Sequence, residues 1–287
     1  MLKVENVTKS YGTKKALDSL SLEVQEGSVF GLLGVNGAGK TTMLSILNGL
    51  INIDEGKIDV FGFDIKKDIK EINKISSIIP QHLAFYENLS VKENIEFFAS
   101  VQYASKESIE KAIEINSLGS LLSQKSSTLS GGQKRRLNIA IGLLNDPKII
   151  YFDEPTVGVD PKSRNEILDS ISEYKKLGIT VLYTSHYMNE IERICDEVAI
   201  IDKGKLVKQD RLDNLLSNRV SDKVLVETLY SSKTSSLGLT LLDDTVVETT
   251  QSELSAVLEV LAKNEVFIKQ IRYGSSNLEK YFLEVTQ

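Results

Sequence analysis

The chain has 287 residues, a length that suits one large domain or two modest ones. Its hydrophobic content of 41% and charged content of 26% are those of an ordinary soluble globular protein. The net charge of -6 and the pI near 5.2 argue against a broad nucleic-acid-binding surface, although they leave room for a local basic patch.

Three further features bear on cellular location. The single cysteine, Cys195, excludes an internal disulfide framework and suits a reducing compartment. No apolar run approaches the roughly 18 residues of a membrane-spanning helix, and the N-terminus alternates like a strand without a signal-peptide core. We therefore expect a cytosolic protein, for which any role at a membrane requires a partner chain.

The N-terminal residues predict two strands, at 2–7 and 20–24, with Tyr11 in the turn region between them. An aromatic side chain near a loop can stack on a purine base. Packing of the same ring on the sheet is the other interpretation, and residue type alone favours that packing.

A glycine-rich segment, Gly34–Thr41, follows the short apolar strand Val29–Leu33 and precedes a segment with helical spacing. Strand, glycine-rich loop, Lys-Thr and helix together form the phosphate-binding loop in the context it requires. Its glycines let the backbone wrap around phosphates, and the loop amides and helix N-terminus direct partial positive charge at the anion. Lys40 adds a charge that reaches the β- and γ-phosphates, and the Thr41 hydroxyl suits Mg²⁺.

Two more strands are predicted at Lys57–Val60 and Ile75–Ile79. Gln81 lies just past the second strand, where open α/β sheets hold their ligands. The alternative for a lone glutamine is a solvated loop residue.

From about residue 84 the pattern becomes helical, and no strand pattern returns until about residue 148. A capping box at Ser90–Glu93 predicts the start of one helix, and a second helix is expected at about 106–117. The sequence therefore predicts a helical insertion within an α/β core.

The insertion ends in a helix whose start is well defined, because Ser130 and Gln133 form a capping box. Gly131 and Gly132 leave the amides of the first turn uncovered, so this is a second helix N-terminus suited to an anion. The alternative is an ordinary capped helix whose glycines serve packing. The basic residues at 134–136 are expected on the solvated face of this helix.

Two acids follow the buried strand predicted at Ile149–Phe152, and Pro155 ends it. Adjacent strand residues point in opposite directions, so both acids share one site only if the strand ends between them. A strand that delivers Asp beside a phosphate-binding loop is what a Mg²⁺ site needs. Asp153 therefore suits the metal, and Glu154 suits the polarisation of a water molecule.

Asp160, followed by proline, is predicted to cap a helix that runs to about Leu177. His186 follows the strand predicted at Ile179–Thr184, at the expected ligand edge, where a histidine can bond a γ-phosphate. A surface or capping histidine is the alternative. A helix at 187–194 and a strand at 198–202 complete the core.

After about residue 214 the composition shifts to that of a small α+β appendage without a catalytic motif. Loop or linker is predicted at Asn218, Ser221 and Ser231–Ser236. Strands are expected at 223–229, 239–242, 244–249 and 266–273, and helices at 252–263 and 277–285.

Residues 1–214 resemble the nucleotide-binding subunit of an ABC transporter, because the motifs occur in that family's order. They are Tyr11 at the adenine-stacking position, Gly34–Thr41 (Walker A), Gln81 (Q-loop), Leu129–Gln133 (signature), Tyr151–Glu154 (Walker B), Asp160 (D-loop) and His186 (H-loop). The signature pentapeptide before a Walker B strand is far more specific than the phosphate-binding loop. The resemblance implies an α/β P-loop NTPase (RecA-like) core with an antiparallel β subdomain, a helical insertion at about 84–146, and an accessory domain at 215–287.

The resemblance also implies ATP and Mg²⁺ as ligands. The nucleotide contacts expected from it are Tyr11, Gly34, Asn36, Gly37, Ala38, Gly39, Lys40, Thr41, Thr42, Ser130, Gly131, Gly132, Gln133 and Asp160. The metal ligands expected are Thr41, Gln81 and Asp153, and the catalytic residues are Glu154 as general base, His186 on the γ-phosphate and Gln81 as the sensor of metal and water.

In this family the two phosphate-suited helix starts lie too far apart to share one nucleotide. A head-to-tail dimer, of two copies or of this chain with a similar subunit, resolves this, because each loop then faces the partner's signature helix. The insertion around Phe85–Asn88 is expected to grip a separate membrane permease, which would hold the chain at the cytoplasmic face of the membrane. No nucleic-acid partner is expected.

A narrower resemblance links the chain to the branch that exports drugs, antibiotics, ions or polysaccharides. It rests on Asp153–Pro161, Phe85–Asn94 and Ser276–Glu284, and on the Lys-Arg-Arg-Leu run at 134–137. Lantibiotic-immunity relatives tend to have Glu at the Q-loop, so Gln81 argues against that subgroup. Val35 replaces a common proline, and Tyr151 and Phe152 are bulkier than the usual aliphatic residues.

Two other functions compete with transport. A soluble ABC ATPase acting in cluster assembly, translation or DNA repair would carry a second cassette, a long coiled coil or zinc motifs, or would lack this appendage. A regulatory binding module with incidental ATPase activity conflicts with intact Asp153, Glu154 and His186. The transported substrate touches the permease, so no residue of this chain identifies it.

Overall fold

The structure of the chain, a computed structural model, describes residues 1–217, 223–229, 237–243, 245–273 and 277–286. The chain divides into two compact units, Met1–Leu212 and Asp213–Gln287. The loop or linker predicted at Asn218, Ser221 and Ser231–Ser236 lies outside the described residues.

The first half of the first unit alternates strands with short helices before the helical insertion begins. The elements are β1 (Leu2–Tyr11), β2 (Lys14–Val24), β3 (Val29–Leu33), α1 (Lys40–Leu47), β4 (Glu55–Val60), β5 (Phe63–Asp64), α2 (Ile69–Ile75), β6 (Ser76–Ile79), α3 (Val91–Gln102) and α4 (Lys106–Ile115).

The second half returns to an alternation of strand and helix. The elements are α5 (Gly131–Gly142), β7 (Ile149–Asp153), α6 (Pro161–Lys176), β8 (Thr180–Ser185), α7 (Met188–Ile194), β9 (Glu197–Asp202) and β10 (Lys205–Arg211). A short helix, α8 (Leu212–Ser217), begins at the boundary between the units.

Two sheets organise the first unit. One is antiparallel, with the strand order β2-β1-β4-β5, and the other has the order β10-β9-β3-β8-β7-β6. Strands β9, β3, β8, β7 and β6 pair in parallel, and β10 adds an antiparallel edge to β9. This arrangement confirms the predicted α/β core with its antiparallel β subdomain.

The central strands β3 and β7 are buried at every residue, as expected of parallel strands covered on both faces. Phe30 and Leu32 of β3 join one apolar cluster with Leu44 of α1 and with residues of the antiparallel sheet. Gly31, on the opposite face, leaves space for α7, because a Cβ there would lie 2.9 Å from the Ile191 side chain. Helix α1 and the phosphate-binding loop are therefore packed between the two sheets.

The edge strands β2 and β10 are joined by side chains at two places. Lys205 Nζ of β10 lies 3.1 Å from Asp18 Oδ2 of β2, and Gln209 bonds the backbone of Glu23. The Gln209 side-chain amide donates to the backbone carbonyl of Glu23 at 2.7 Å, and its oxygen accepts from the Glu23 N–H at 3.3 Å. An edge of the antiparallel sheet is thereby fastened to an edge of the parallel one.

The segment between β6 and β7 is helical, as predicted. The Ser90–Glu93 capping box at the start of α3 and the Ser130–Gln133 box at the start of α5 are both confirmed. Within the described chain, the segment contains only an isolated bridge between Ser90 and Lys125 in place of strands.

The second unit is an antiparallel sheet with helices. Its elements are β11 (Lys223–Thr228), β12 (Leu241–Asp243), β13 (Val246–Thr250), α9 (Leu254–Lys263), β14 (Ile268–Tyr273) and α10 (Asn277–Val285), and the strand order is β12-β13-β11-β14. Val226, Val247 and Leu261 are fully buried in its apolar cluster. The predicted α+β character is confirmed, whereas the predicted boundary after residue 214 stays a prediction.

No helix in the part of the chain that the structure describes is both long enough and apolar enough to cross a membrane.

Candidate functional site

A cleft of about 480 Å³ lies at the C-terminal ends of the parallel strands. It brings together ten of the predicted site residues: Tyr11, Asn36, Gly37, Gly39, Lys40, Thr41, Thr42, Gln81, Glu154 and His186. They come from five separate segments of the chain. Strand ends of a parallel sheet meet at one edge, which is why motifs distant in sequence converge there.

Two glycines of the phosphate-binding loop are required by the fold itself. A Cβ on Gly34 would lie 2.6 Å from the Ile201 carbonyl oxygen, and one on Gly39 would lie 2.6 Å from that of Ala16. Gly39 also has a φ of +112°, which disfavours any side chain. The loop therefore packs at backbone distance on one strand of each sheet, β9 and β2, and leaves its other face toward the cleft.

Lys40 and Glu154 form a largely buried ion pair beside this loop. The Lys40 Nζ lies 3.2 Å from Glu154 Oε1, and their side chains are 5% and 12% exposed. The same ammonium donates to the Gly34 carbonyl oxygen at 2.7 Å. Glu154 Oε2 lies 3.0 Å from His186 Nδ1, so Glu154 bridges the cation and the histidine.

Asp153, the neighbouring acid, points to a different set of partners. Its Oδ1 accepts from the hydroxyls of Thr184 at 3.1 Å and Thr41 at 3.3 Å. Burial raises the pKa of the Asp153 carboxyl, and these two hydroxyl donors oppose the rise. The strand ends between the two acids, because β7 stops at Asp153 and Glu154 has a φ of +46°.

Asp153 and Thr41 fit a magnesium ion that takes most of its ligands from elsewhere. Their oxygens converge within 3.3 Å, and Mg²⁺ is commonly held by one or two carboxylates together with phosphates and waters. Among the described residues, no group of three His, Cys, Asp or Glu side chains could hold a metal alone. Gln81, the third predicted ligand, lines the same cleft.

Tyr11 stands at the rim of the cleft with 52% of its surface exposed. This exposure excludes the interpretation in which the ring packs down on the sheet. Lys9 Nζ lies 5.9 Å from the ring centre and also pairs with Asp54 at 2.8 Å. Stacking of a base on Tyr11 stays a prediction.

Three residues of the cleft were missed by the sequence analysis. Lys14 and Ala16 of β2 and Val157 of the turn after β7 join Tyr11 in the lining. Tyr11 was predicted to lie in the turn but is the last residue of β1, because that strand continues past residue 7. Lys14 and Ala16 lie just beyond the turn that follows Tyr11, so the predicted strand pair was the signal that could have suggested them.

The expectation that residues 134–136 form a solvated face is wrong for Arg135, which is 4% exposed. Its guanidinium donates to the carbonyl oxygens of Pro80 at 2.8 Å and Gln81 at 2.6 Å. Burial lowers the pKa of Arg135. Helix α5 is thereby bonded to the backbone of the segment that presents Gln81 to the cleft.

Five other predicted contacts do not line the cleft: Ser130, Gly131, Gly132, Gln133 and Asp160. The carboxylate of Asp160 accepts from the Lys162 and Ser163 N–H groups as the cap of α6. The pKa of Asp160 is lowered first by its hydrogen bond with the Ser163 side chain and then by these N–H bonds. Gly34 and Ala38 are buried in the loop itself, and Asp153 reaches the cleft through Thr41.

The two glycines of the α5 start have different surroundings. A Cβ on Gly132 would lie 2.0 Å from Ser163 Oγ, so this glycine lets α5 approach α6 closely. A Cβ on Gly131 would have no heavy atom within 4 Å. Packing therefore accounts for Gly132, and nothing within the described chain requires Gly131 to be glycine.

Comparison with known proteins places these motifs in a family. The family model described as "ABC transporter" matches residues 17–157. The linearmycin resistance ATP-binding protein LnrL of Bacillus subtilis is 33% identical over 305 residues, which span 100% of this chain and 98% of LnrL. The daunorubicin resistance ATP-binding protein DrrA3 of Streptomyces coeruleorubidus is 30% identical and covers 99% of this chain and 95% of its own length.

A solved structure extends the similarity to three dimensions. It is a dimeric ATP-binding cassette in a post-hydrolysis state, bound to ADP and Pi. It superposes with a TM-score of 0.66 and 27% identity over 74% of this chain and 99% of the solved one.

The buried charge of Asp153 generates a prediction about stability. Because burial raises its pKa, the folded pKa lies above the unfolded one, and stability is lost as the pH rises through the folded value. Asp153→Asn should therefore raise the Tm of the nucleotide-free protein at pH 7, and the difference should shrink toward about pH 4, where aspartate takes up its proton. Thermal unfolding at several pH values measures this.

Asp160→Asn is the matched control with the opposite sign. Hydrogen bonds lower the pKa of Asp160, so its charged form contributes stability that is lost as the pH falls through the folded pKa. Asp160→Asn should lower the Tm at pH 7. A lower Tm for both variants would contradict the assignment of Asp153 as a destabilising buried charge.

Proposed function

Since this chain belongs to the ABC transporter family, we propose that its cleft hydrolyses ATP within a head-to-tail dimer that drives export through a separate permease. As an ABC cassette, the chain binds ATP and hydrolyses it to ADP and phosphate. The observation that carries the proposal is the convergence of Lys40, Glu154 and His186, each within 3.2 Å of the next, beside the phosphate-binding loop.

Binding of the triphosphate would change the partners of these groups. Lys40 is held by Glu154 and by carbonyl oxygens of its own loop, all of which are weaker competitors than a triphosphate placed against the loop amides. Once Lys40 turns to the phosphates, Glu154 keeps His186 and gains a free oxygen. That oxygen can then accept a proton from the attacking water, which is the role of a general base.

His186 would orient both the base and the phosphate. One ring nitrogen, Nδ1, lies 3.0 Å from Glu154 Oε2, which leaves Nε2 for a γ-phosphate oxygen. Because both of these oxygens accept, His186 bonds them at the same time only with both ring nitrogens protonated. Thr41 and Asp153 would hold Mg²⁺, which when bound neutralises charge on the β- and γ-phosphates. Gln81 would respond to the metal and the water from its own side of the cleft.

The dimer supplies what one copy lacks. Gly131 has open space around it at the start of a capped helix, and no group among the described residues fills that space. A second copy would bring the nucleotide in its cleft to this helix start, where amides and dipole favour an anion. Two such sites form at once in a two-fold arrangement.

The names of the relatives support export. LnrL and DrrA3 are described as antibiotic-resistance ATP-binding proteins, and one Cupriavidus relative is described as a Nod factor export protein. A methionine import protein of Geobacillus also matches, at 35% identity over 76% of this chain, so direction rests on the resistance proteins that match its whole length. These relatives favour transport over the alternative of a soluble, non-transport ATPase.

Docking of the permease around Phe85–Asn88 stays a prediction, and we propose that it extends to an adjoining groove, which we call the α3 groove. This concavity of about 690 Å³ is lined by Phe98, Val101 and Tyr103 and by Ile78 and Pro80. The Phe98 ring centre lies 6.1 Å from that of Tyr86, which connects the groove to the predicted region. Val101 and Tyr103 are 60% and 94% exposed and line this one groove together, and clustered exposed apolar side chains are typical of interaction sites.

Glu154→Gln tests the general base. Glutamine keeps the shape of the side chain and removes the base, so ATP should still bind while hydrolysis falls by about 100-fold to 10,000-fold. The variant should elute as a dimer from a sizing column in ATP and as a monomer without it. Lys40→Ala, which removes the cation, is the control that should bind ATP weakly and stay monomeric. A Glu154→Gln protein that turns over at the parental rate would exclude Glu154 as the base.

Gly131→Ala separates the dimer contact from the fold. Because the added methyl group meets open space, the Tm should stay within about 2 °C of the parent, since surface changes usually alter stability by less than about 0.5 kcal/mol. ATP-dependent dimerisation of the Glu154→Gln protein should nevertheless be lost. Gly132→Ala is the matched comparison, which should lower the Tm through overlap with Ser163. Unchanged dimerisation in Gly131→Ala would sink the proposed role of this helix start.

Val101→Glu tests the α3 groove. Val101 is 60% exposed, so the charge should leave the fold and the ATPase activity of the isolated chain intact. Co-purification with the membrane protein encoded in the neighbouring reading frame should fall sharply. Leu177→Glu, at an exposed apolar position outside the groove, is the control that should co-purify normally. Equal co-purification of both variants would argue against docking at this groove.

A further inference from the structure

A buried carboxylate joins the two chain segments that carry Glu154 and His186. It belongs to Glu190 of α7, which is 1% exposed. Its Oε2 accepts from the hydroxyls of Thr156 at 2.9 Å, Tyr183 at 2.8 Å and Ser185 at 2.9 Å. Three donors on one oxygen suit an ionised carboxylate, which has only acceptor sites.

Two of these hydroxyls are placed next to the catalytic groups in sequence. Thr156 lies two residues after Glu154, and Ser185 immediately precedes His186. Ser185 Oγ also accepts from the Tyr187 N–H at 2.9 Å, so this hydroxyl is bonded across His186. One carboxylate oxygen therefore links the turn after β7 to the end of β8.

The other oxygen of Glu190, Oε1, is connected to His186 through contacts of Arg164 and Tyr187. Arg164 Nε lies 3.6 Å from Glu190 Oε1, and the guanidinium carbon lies 5.1 Å from the centre of the Tyr187 ring. The Tyr187 ring centre is 4.0 Å from that of His186. Arg164 thus places a positive charge at ion-pair distance from the buried carboxylate, without a hydrogen bond to it, and lies beside the ring that packs on His186.

The backbone at Glu154 explains why such an anchor is needed. Its φ of +46° is uncommon for a residue with a side chain, and such a conformation persists only where its surroundings fix it. The Glu154 N–H donates to Thr184 Oγ1 at 3.0 Å on one side. In the residues that follow Glu154, the nearest side-chain hydrogen bond is the one that Thr156 donates to Glu190.

We infer that Glu190 is a positioning residue for ATP hydrolysis, which holds the Glu154 turn and the His186 loop in the register that pairs their side chains. The inference rests on the proposed function, because it takes Glu154 and His186 as the catalytic pair. Glu190 itself does not line the cleft and touches no nucleotide-binding group of the phosphate loop. Its loss should therefore lower kcat and leave ATP binding nearly unchanged.

Thr156→Val provides the first test, because it removes the hydroxyl and keeps the shape. Misplacing a catalytic group by about 1 Å can cost about 100-fold in rate, and we expect a fall in kcat of at least about tenfold. The KM for ATP should change by less than about threefold, since the phosphate-binding loop is untouched. Thr156→Ser, which retains the hydroxyl, should restore kcat to within about twofold of the parent.

Tyr174→Phe is the matched control for losing a buried hydroxyl. Its OH donates to Asn116 at 3.0 Å in the same unit but has no bond to Glu190. It should lower the Tm about as much as Thr156→Val and leave kcat unchanged. If both variants have the same kcat, or if Thr156→Ser fails to restore activity, the positioning role is excluded.

Glu190→Gln tests the carboxylate directly. Whichever way the amide turns, its NH₂ faces either the three hydroxyl donors or Arg164, so kcat should fall as in Thr156→Val. A folded Glu190→Gln protein with parental kcat would overturn the inference, and if that variant does not fold, the Thr156 pair decides. Glu154→Gln is assayed in parallel. If it keeps its activity, Glu154 is not the general base and the proposed function fails. If Glu154→Gln is inactive while Thr156→Val is active, only the role of Glu190 is excluded.

Discussion

The ion pair between Lys40 and Glu154 is the contact around which the cleft is arranged. Neither charge could be buried alone at low cost, so each requires the other. The pair is possible only because β3 and β7 are parallel strands of one sheet that end at the same edge. The hydrophobic core, the glycines at backbone distance and the left-handed turn at Glu154 all act to keep those strand ends in place.

Charge and hydroxyl groups are layered around this pair in a consistent way. Glu154 and His186 face the cleft, whereas Thr184 and Asp153 form a layer that bonds the backbone at the strand end. Glu190 lies one layer deeper and bonds three hydroxyls. Each layer fixes the one nearer to the nucleotide, so the reactive groups themselves can exchange partners while their backbone stays still.

Contiguous motifs could be predicted from the sequence, and contacts across the fold could not. Gly34–Thr41, Asp153–Glu154 and the capping box at Ser130 are local patterns whose chemistry is evident from neighbouring residues. Glu190 and Arg135 bond partners that lie 34 and 55 residues away in the sequence, and their neighbouring residues carry no pattern that predicts these contacts. Helix α2 was not predicted, although its isoleucines have helical spacing. Its last residue, Ile75, was instead assigned to the strand predicted at Ile75–Ile79. The ends of β1 and β2 were missed because bulges interrupt their alternation.

The fastening of β10 to β2 through Gln209 has a consequence for solubility. Exposed strand edges are templates for pairing with other chains, and this unit has two sheets with four edges. Two of these edges, β2 and β10, are bonded to each other through Gln209. The other two are short, because β5 has two residues and β6 has four, and a strand this short is a poor template for pairing with another chain. Association between copies through the sheet edges of this unit, the usual beginning of aggregation, is thus suppressed.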